Sequence, residues 1–326
     1  MREINTEQQN RVCRPASTNW WLSIAGSVAL GLATVGCEPG TQEQAVAADK
    51  QQTLTNPEET QSIKIATLGG TITEIICALN YCDNIVATDR TSTYPVHMQQ
   101  LPSLGYRNNV KAEGVISTGA DMVLAEAGYL PPSVTEQLQS TGIALHAFEN
   151  KLNPESTRDM ITNIGKLLGR EARAQELIQE LDADFNQVNT LLAGASAKPK
   201  VLFVYARGQG TLNIGGKGTF AESMIKLAGG ELAVPQIEDF KPLTAEAVIA
   251  ANPDYLLFFD MGLQSIGGIE GALQVPGIQE TTAGKNRNII AMDGQYLSGF
   301  GPRVGKAVLE LAQTLHPELQ ATASTR

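Results

Sequence analysis

The sequence predicts an α/β protein of two similar lobes, joined by a long rigid helix, with a ligand cleft between the lobes. Three observations carry this reading. Strand-like and helix-like runs alternate along most of the chain, a long helical stretch interrupts them near the middle, and segments before the interruption recur after it. Alternation of strand and helix builds parallel sheets with helical crossovers. A chain of 326 residues is long enough for two domains of ordinary size.

In chain order, the first strand candidates are 63–67, 85–88, 122–125 and 143–147, and a second set lies at 201–205, 255–259 and 289–292. Between the sets, Asn153-Pro154-Glu155 is a helix start, with Asn as cap and Pro in the first turn. Apolar residues follow at helical spacing from Met160 to Leu168 and, after Gly169, from Leu177 to Leu192. The part after Gly169 has about 24 residues and would span about 36 Å. The spacing thus predicts an interlobe helix over 154–198, an N-terminal lobe over 62–153 and a C-terminal lobe over 199–326, each lobe Rossmann-like.

The recurrence is specific. "EGVISTGADMVLAE" from Glu113 matches "EAVIAANPDYLLFF" from Glu246, each a short helix, a turn carrying Asp121 or Asp254, and a buried strand. "GGTITEIICAL" from Gly69 echoes "GKGTFAESMIKLAGG" from Gly216. Each of the latter carries a Thr-x-x-Glu pattern, Thr71/Glu74 and Thr219/Glu222, which predicts two capping boxes with glutamates exposed at helix starts.

Residues 1–36 read as an export signal. Arg2, Arg11 and Arg14 precede the uncharged run "WWLSIAGSVALGLATVG", which small residues close before Cys37. "TVGC" is similar to a lipobox, which would make Cys37 the lipidated first residue of the mature protein. Release after Ala47 is the alternative, although that site lies far beyond the apolar core. Loss of a leader with three arginines and two glutamates takes the formal charge from -10 to -11. Residues 37–61 hold almost no large apolar side chains and read as a flexible tether. No basic stripe exists to track phosphates, so nucleic acid is excluded as a partner. Of the remaining cysteines, Cys77 and Cys82 are either a local disulfide, as an exported protein favours, or two buried thiols.

Enzyme signatures are missing. The chain has no G-x-S-x-G elbow, no Walker loop and no H-E-x-x-H. Residues 208–218, "GQGTLNIGGKG", lack dinucleotide-fingerprint spacing and read as a cleft loop or a plain connection. The three histidines, His97, His146 and His316, are scattered and read as surface or core.

The stretch "LPSLGYRNNVKAEGVIS" places Tyr106 in a loop, as either a packing aromatic or a ligand. Together with the exported two-lobe plan, "GGTITEI", "LGYRNNVKAEGVIS" and "LSGFGPR" resemble the haem (hemin) substrate-binding proteins of bacterial ABC transporters. The resemblance runs from about Ile63 to Pro317; "GGTITEI" and the long helix belong also to siderophore and cobalamin binders of the same class. It implies a periplasmic monomer that carries haem b to an inner-membrane ABC permease and touches the membrane only through a lipid anchor. It further implies Tyr106 as axial iron ligand, a hard phenolate suited to ferric iron, with Arg107 as the cation that favours the ionised phenol.

Arg207 falls at the end of the first strand of the second lobe, where it could hold a haem propionate. Tyr205 is a candidate second iron ligand or strand-core residue, and Met261 and Gln264 could pack on the porphyrin. Arg303 could line the cleft or cap a helix. Glu74 and Glu222 match the class in which one acidic residue per lobe pairs with permease arginines. Two alternatives remain: a ferric siderophore or corrinoid on the same fold, and an exported metal-dependent enzyme.

Overall fold

Two strands, β1 (Ile65–Leu68) and β5 (Lys200–Ala206), each lie within a largely parallel sheet. The computed structural model describes residues 63–319, so the expected leader, Cys37 and the tether lie outside the described residues. β1 leads through α1 (Gly70–Ala78), β2 (Ile85–Ala87), α2 (Ala112–Ser117), β3 (Met122–Glu126) and α3 (Pro132–Ser140) to β4 (Ala144–Phe148). These strands form one parallel sheet in the order β2-β1-β3-β4. Ile65, Ala66, Thr67 and Leu68 are fully buried, so both faces of the strand are covered, and Thr67 is paired with the Thr73 hydroxyl.

After α4 (Pro154–Leu167) and α5 (Glu171–Leu192), the chain builds the second sheet from β5 onwards. It continues through β6 (Leu212–Gly215), α6 (Phe220–Leu227), β7 (Glu231–Leu232), β8 (Phe240–Pro242), α7 (Ala245–Ala251) and β9 (Tyr255–Phe259). Then come α8 (Asp260–Ser265), α9 (Gly268–Leu273), α10 (Thr282–Asn286), β10 (Ile289–Met292), α11 (Gly294–Ser298) and α12 (Val304–Leu315). The strand order is β10-β9-β5-β6-β8, with β7 beside β5. All seven expected strands are present. The sheet is nevertheless mixed, because β6 runs antiparallel to β5 and β8 antiparallel to β6. Part of the glycine-rich stretch expected as a cleft loop is therefore the strand β6.

The expected single interlobe helix is two helices. Asn153 caps α4, its side chain accepting from the Ser156 amide at 2.8 Å. Gly169, at φ 63, then ends that helix in the left-handed region. The turn back is tight: a Cβ on Gly165 would lie 2.5 Å from that of Ala174 at the start of α5. α5, about 33 Å long, packs on α4 and α12 and buries Leu177, Leu181 and Val188.

The sequence repeat is also a repeat of hydrogen bonds. Asp121 accepts from the Lys64 amide at 2.9 Å, and Asp254 accepts from the Lys200 amide at 2.8 Å. Each aspartate thus locks the strand after its helix to the strand that begins its half. Cys77 and Cys82 form a disulfide that links the end of α1 to the following turn.

Segment 294–303 ties the halves together. Gln295 accepts from Thr93 and from the Tyr94 amide, and donates to the Gly70 carbonyl and to Glu74. The Gly299 carbonyl accepts from Thr71 at 2.6 Å and from Asn150 at 2.9 Å; the Phe300 carbonyl accepts from Thr157 at 2.7 Å. Arg303 grips Glu74 with two hydrogen bonds of 2.8 and 2.9 Å and lies over the Tyr94 ring at 3.5 Å. Burial opposes the Arg303 charge, but Glu74 outweighs it and raises the guanidinium pKa.

This network corrects three expectations. Thr71 and Glu74 are not a capping box: the N-cap of α1 is Gly69, two residues before Thr71, and Thr71 reaches across to Gly299. Glu74 is not exposed; 5% of it is accessible and its carboxylate is fully engaged. Arg303 binds Glu74 in place of a cleft ligand. In the other half, Thr219 does occupy the N-cap of α6, yet its hydroxyl donates to the Gly216 carbonyl. Glu222 reaches back to the Gly218 amide and also pairs with Lys226, which lowers its pKa.

Breaking a buried ion pair from one side leaves the other charge uncompensated, at a cost of about 3 kcal/mol. Glu74→Gln should lower the urea midpoint by that equivalent, measured by circular dichroism, and the double variant Glu74→Leu, Arg303→Met should regain most of the loss. Equal midpoints for wild type and the single variant would show that the pair contributes nothing to stability.

Candidate functional site

Open parallel sheets place ligands beyond the carboxyl ends of their strands, and here that edge forms a cleft. The backbone builds it by extending the first sheet past β2. Leu104 donates to the Thr88 carbonyl at 2.7 Å, and Arg90 donates to the Gly105 carbonyl at 2.8 Å. The loop 101–105 is thereby pinned alongside 88–90, with Gly105 at φ 94 making the turn. Tyr106 emerges at this rim with 45% of its surface exposed.

Tyr106 lines two adjoining cavities. One, of about 560 Å³, brings together Arg90, Tyr106, Tyr205, Arg207, Phe259 and Met261. Four of these, Tyr106, Tyr205, Arg207 and Met261, are residues that the sequence singled out. Arg90 and Arg207 stand on opposite halves, and neither side chain has a hydrogen-bonding or ionic partner among the described residues. Phe259 is held by stacking on Phe220, with centroids 5.4 Å apart, and by an edge contact with Phe203 at 5.0 Å. Tyr205 meets Phe259 edge-on at 6.3 Å. Gln264 is not among the residues lining this cavity; Ser265 is, and it accepts from the Gly208 amide at 2.9 Å.

The second cavity, of about 310 Å³, holds Tyr106 with Arg107, Glu126 and Tyr129. Arg107 lies 5.7 Å from the Tyr106 centroid and 5.4 Å from the Tyr129 centroid. Burial opposes its charge, but Tyr106, Glu126 and Tyr129 together raise its pKa. Glu126 is shifted up, chiefly by burial, with Thr71 and Arg107 pulling the other way. Tyr129 is 2% exposed and donates to Asp89; burial and that carboxylate push its phenol upwards. Asp89 also accepts from the Gly69 and Thr91 amides and from the Thr91 and Ser92 hydroxyls.

The sequence reading missed Asp89, Arg90, Glu126, Tyr129 and Phe259. Their signal is position: each sits at or just past the carboxyl end of a strand, on the edge where ligands bind. A larger cavity, of about 640 Å³, lies elsewhere, between Glu74, Cys82, His97, Arg173 and Arg303. It does not include Tyr106, and within it Arg303 pairs with Glu74 and Arg173 with Glu180. No histidine lines either cleft cavity.

An open cleft with a phenol backed by a guanidinium, two unpaired arginines and an aromatic wall suits a flat, anionic ligand with a hard Lewis-acid centre. Comparison with known proteins agrees with the fold. Solved structures of periplasmic haem-binding proteins share it. Among them is the apo form of RhuT from Roseiflexus sp. RS-1, 36% identical, with a TM-score of 0.76 over 79% of this chain and 100% of that one. An uncharacterized ABC transporter substrate-binding lipoprotein of Bacillus subtilis is 26% identical over 78% of this chain and 80% of its own length. A cobalamin-binding protein of Halobacterium salinarum is 23% identical over 86% of this chain and 73% of its own. The family model for periplasmic binding proteins matches residues 65–296, and the chain belongs to that family of ABC-transporter binding proteins.

Proposed function

We propose that the protein captures haem (hemin) outside the cytoplasm and delivers it to an inner-membrane ABC permease. The observation that carries this is Tyr106, a half-exposed phenol in the cleft with a guanidinium beside it. Phenolate is a hard anionic ligand for ferric haem iron, and a neighbouring cation favours the ionised form. Phe259, Tyr205 and Met261 supply an apolar wall for the porphyrin, and Arg207 and Arg90 supply donors for the two propionates. Residues 1–36 would export the chain and Cys37 would carry a lipid; the Bacillus relative is described as a lipoprotein. A corrinoid is the second reading, supported by the cobalamin-binding relative.

In Tyr106→Ala the charge-transfer features of tyrosinate-bound ferric haem should vanish from the hemin spectrum. An unchanged spectrum would remove Tyr106 as the ligand. A charge-assisted hydrogen bond contributes roughly 1.5–3 kcal/mol, so Arg207→Ala and Arg90→Ala should each weaken hemin binding about ten- to a hundred-fold. Hemin dimethyl ester should lose much less. Equal losses for acid and ester would take both arginines away from the propionates.

Permease docking was expected at Glu74 and Glu222. The engagement of Glu74 with Arg303 makes it unfit for a second arginine. The repeated segments offer a matched pair instead: Glu113 and Glu246 are exposed in the first turns of α2 and α7. Charge reversal of both should abolish haem uptake by cells while leaving hemin affinity unchanged. An acidic side chain in a first turn contributes only about 0.3–1 kcal/mol to stability, so the melting temperature should hardly move. Normal uptake would remove this pair from docking.

A further inference from the structure

Behind Tyr106 lies a cluster that contact with a ligand alone does not explain. Arg107 adopts φ 43, in the left-handed region that a non-glycine residue avoids. That backbone places its guanidinium within cation–π range of Tyr106 and Tyr129 together. Tyr129 is in turn fixed through its hydroxyl to Asp89, a carboxylate whose remaining bonds tie it to the start of α1 and to the turn after β2. From the other side comes Glu126, the last residue of β3. It packs so closely on Gly69 that a Cβ there would lie 2.8 Å from its Cγ, and it lines the same cavity as Arg107 and Tyr106. Gly69 itself sits at φ 111, which keeps the position open for the carboxyl group. The side chains of Tyr106, Tyr129 and Glu126 therefore converge on one guanidinium.

We propose that Glu126, Tyr129 and Asp89 form a clamp that positions the Arg107 guanidinium against the Tyr106 phenol, and so sets how tightly Tyr106 holds ferric iron. Glu126 and Tyr129 line the smaller cleft cavity beside Arg107, and they act on the iron through that guanidinium. Partners behind a metal ligand orient it and tune its strength, and their loss commonly costs ten- to a hundred-fold in metal affinity. The inference rests on the haem reading and adds to it a selectivity for the iron over the ring. Without the clamp the cleft still offers its aromatic wall and its arginines, and a porphyrin without iron should not sense the change.

The test compares hemin with metal-free protoporphyrin IX, using Glu126→Gln and Tyr129→Phe, both close to isosteric. Each variant should bind hemin about tenfold more weakly and show a shifted charge-transfer band, with protoporphyrin IX affinity and melting temperature near wild type. Hemin affinity and band position unchanged in both variants would overturn the clamp. Parallel loss of both porphyrins would overturn it too, because it would mark a purely structural role. If wild type binds neither porphyrin, the haem reading itself falls and the clamp falls with it; wild-type binding of hemin separates the two failures.

Discussion

The two halves meet through the ion pair of Arg303 with the buried Glu74 carboxylate. It joins the first helix of one half to the segment entering the last helix of the other, across 229 positions of sequence. A buried ion pair is weak evidence for net stability, but it is demanding about geometry. Gln295 spreads that demand, because its amide bonds at once to Thr93, Tyr94, Gly70 and Glu74. Gly70 has to be glycine here: a Cβ would stand 2.4 Å from the Thr91 carbonyl. The same segment lines the cleft through Gly294 and Gln295, so the walls of the ligand site are set by the interactions that join the halves.

From that frame the chemistry of the cleft follows in layers. Asp89 gathers the start of α1, the turn at Thr91–Ser92 and the Tyr129 hydroxyl into one fixed point. Tyr129 stands on that base, Glu126 bonds to Thr71, and both face Arg107, which faces Tyr106. Tyr106 and Arg107 are exposed, Glu126 is partly buried, and Tyr129 and Asp89 are buried. Such an order suits a binding protein: the groups that meet the ligand stay accessible, while Tyr129 and Asp89 behind them are buried. The opposite wall is apolar and aromatic, and Phe259 belongs both to it and to the phenylalanine cluster under β5.

Much of this was legible in the sequence, and the reasons are particular. All seven predicted strands exist because buried parallel strands write themselves as short apolar runs. The two halves were visible because Asp121 and Asp254 perform the same task at the same place in a repeated unit. Tyr106, Arg107, Tyr205, Arg207 and Met261 could be found from motif and from strand ends. What failed were inferences from local pattern where tertiary contacts won. Thr71 and Glu74 spell a capping box, yet both side chains serve the opposite half. The glycines of 208–218 suggest a loop, yet Leu212–Gly215 pairs with β5. The interlobe helix breaks because Gly169 supplies a left-handed turn that periodicity does not register. Glu126 and Tyr129 carry no motif at all; their role exists only once β3 is placed beside β1.

The cleft is proposed to take an iron porphyrin and not a corrinoid, although relatives of the chain include cobalamin-binding proteins. The most direct measurement is a pair of calorimetric titrations of the mature chain, one with hemin and one with cyanocobalamin, under the same conditions. Hemin should bind saturably, and the corrinoid should give no measurable heat of binding. Saturable binding of cyanocobalamin with none for hemin would contradict it.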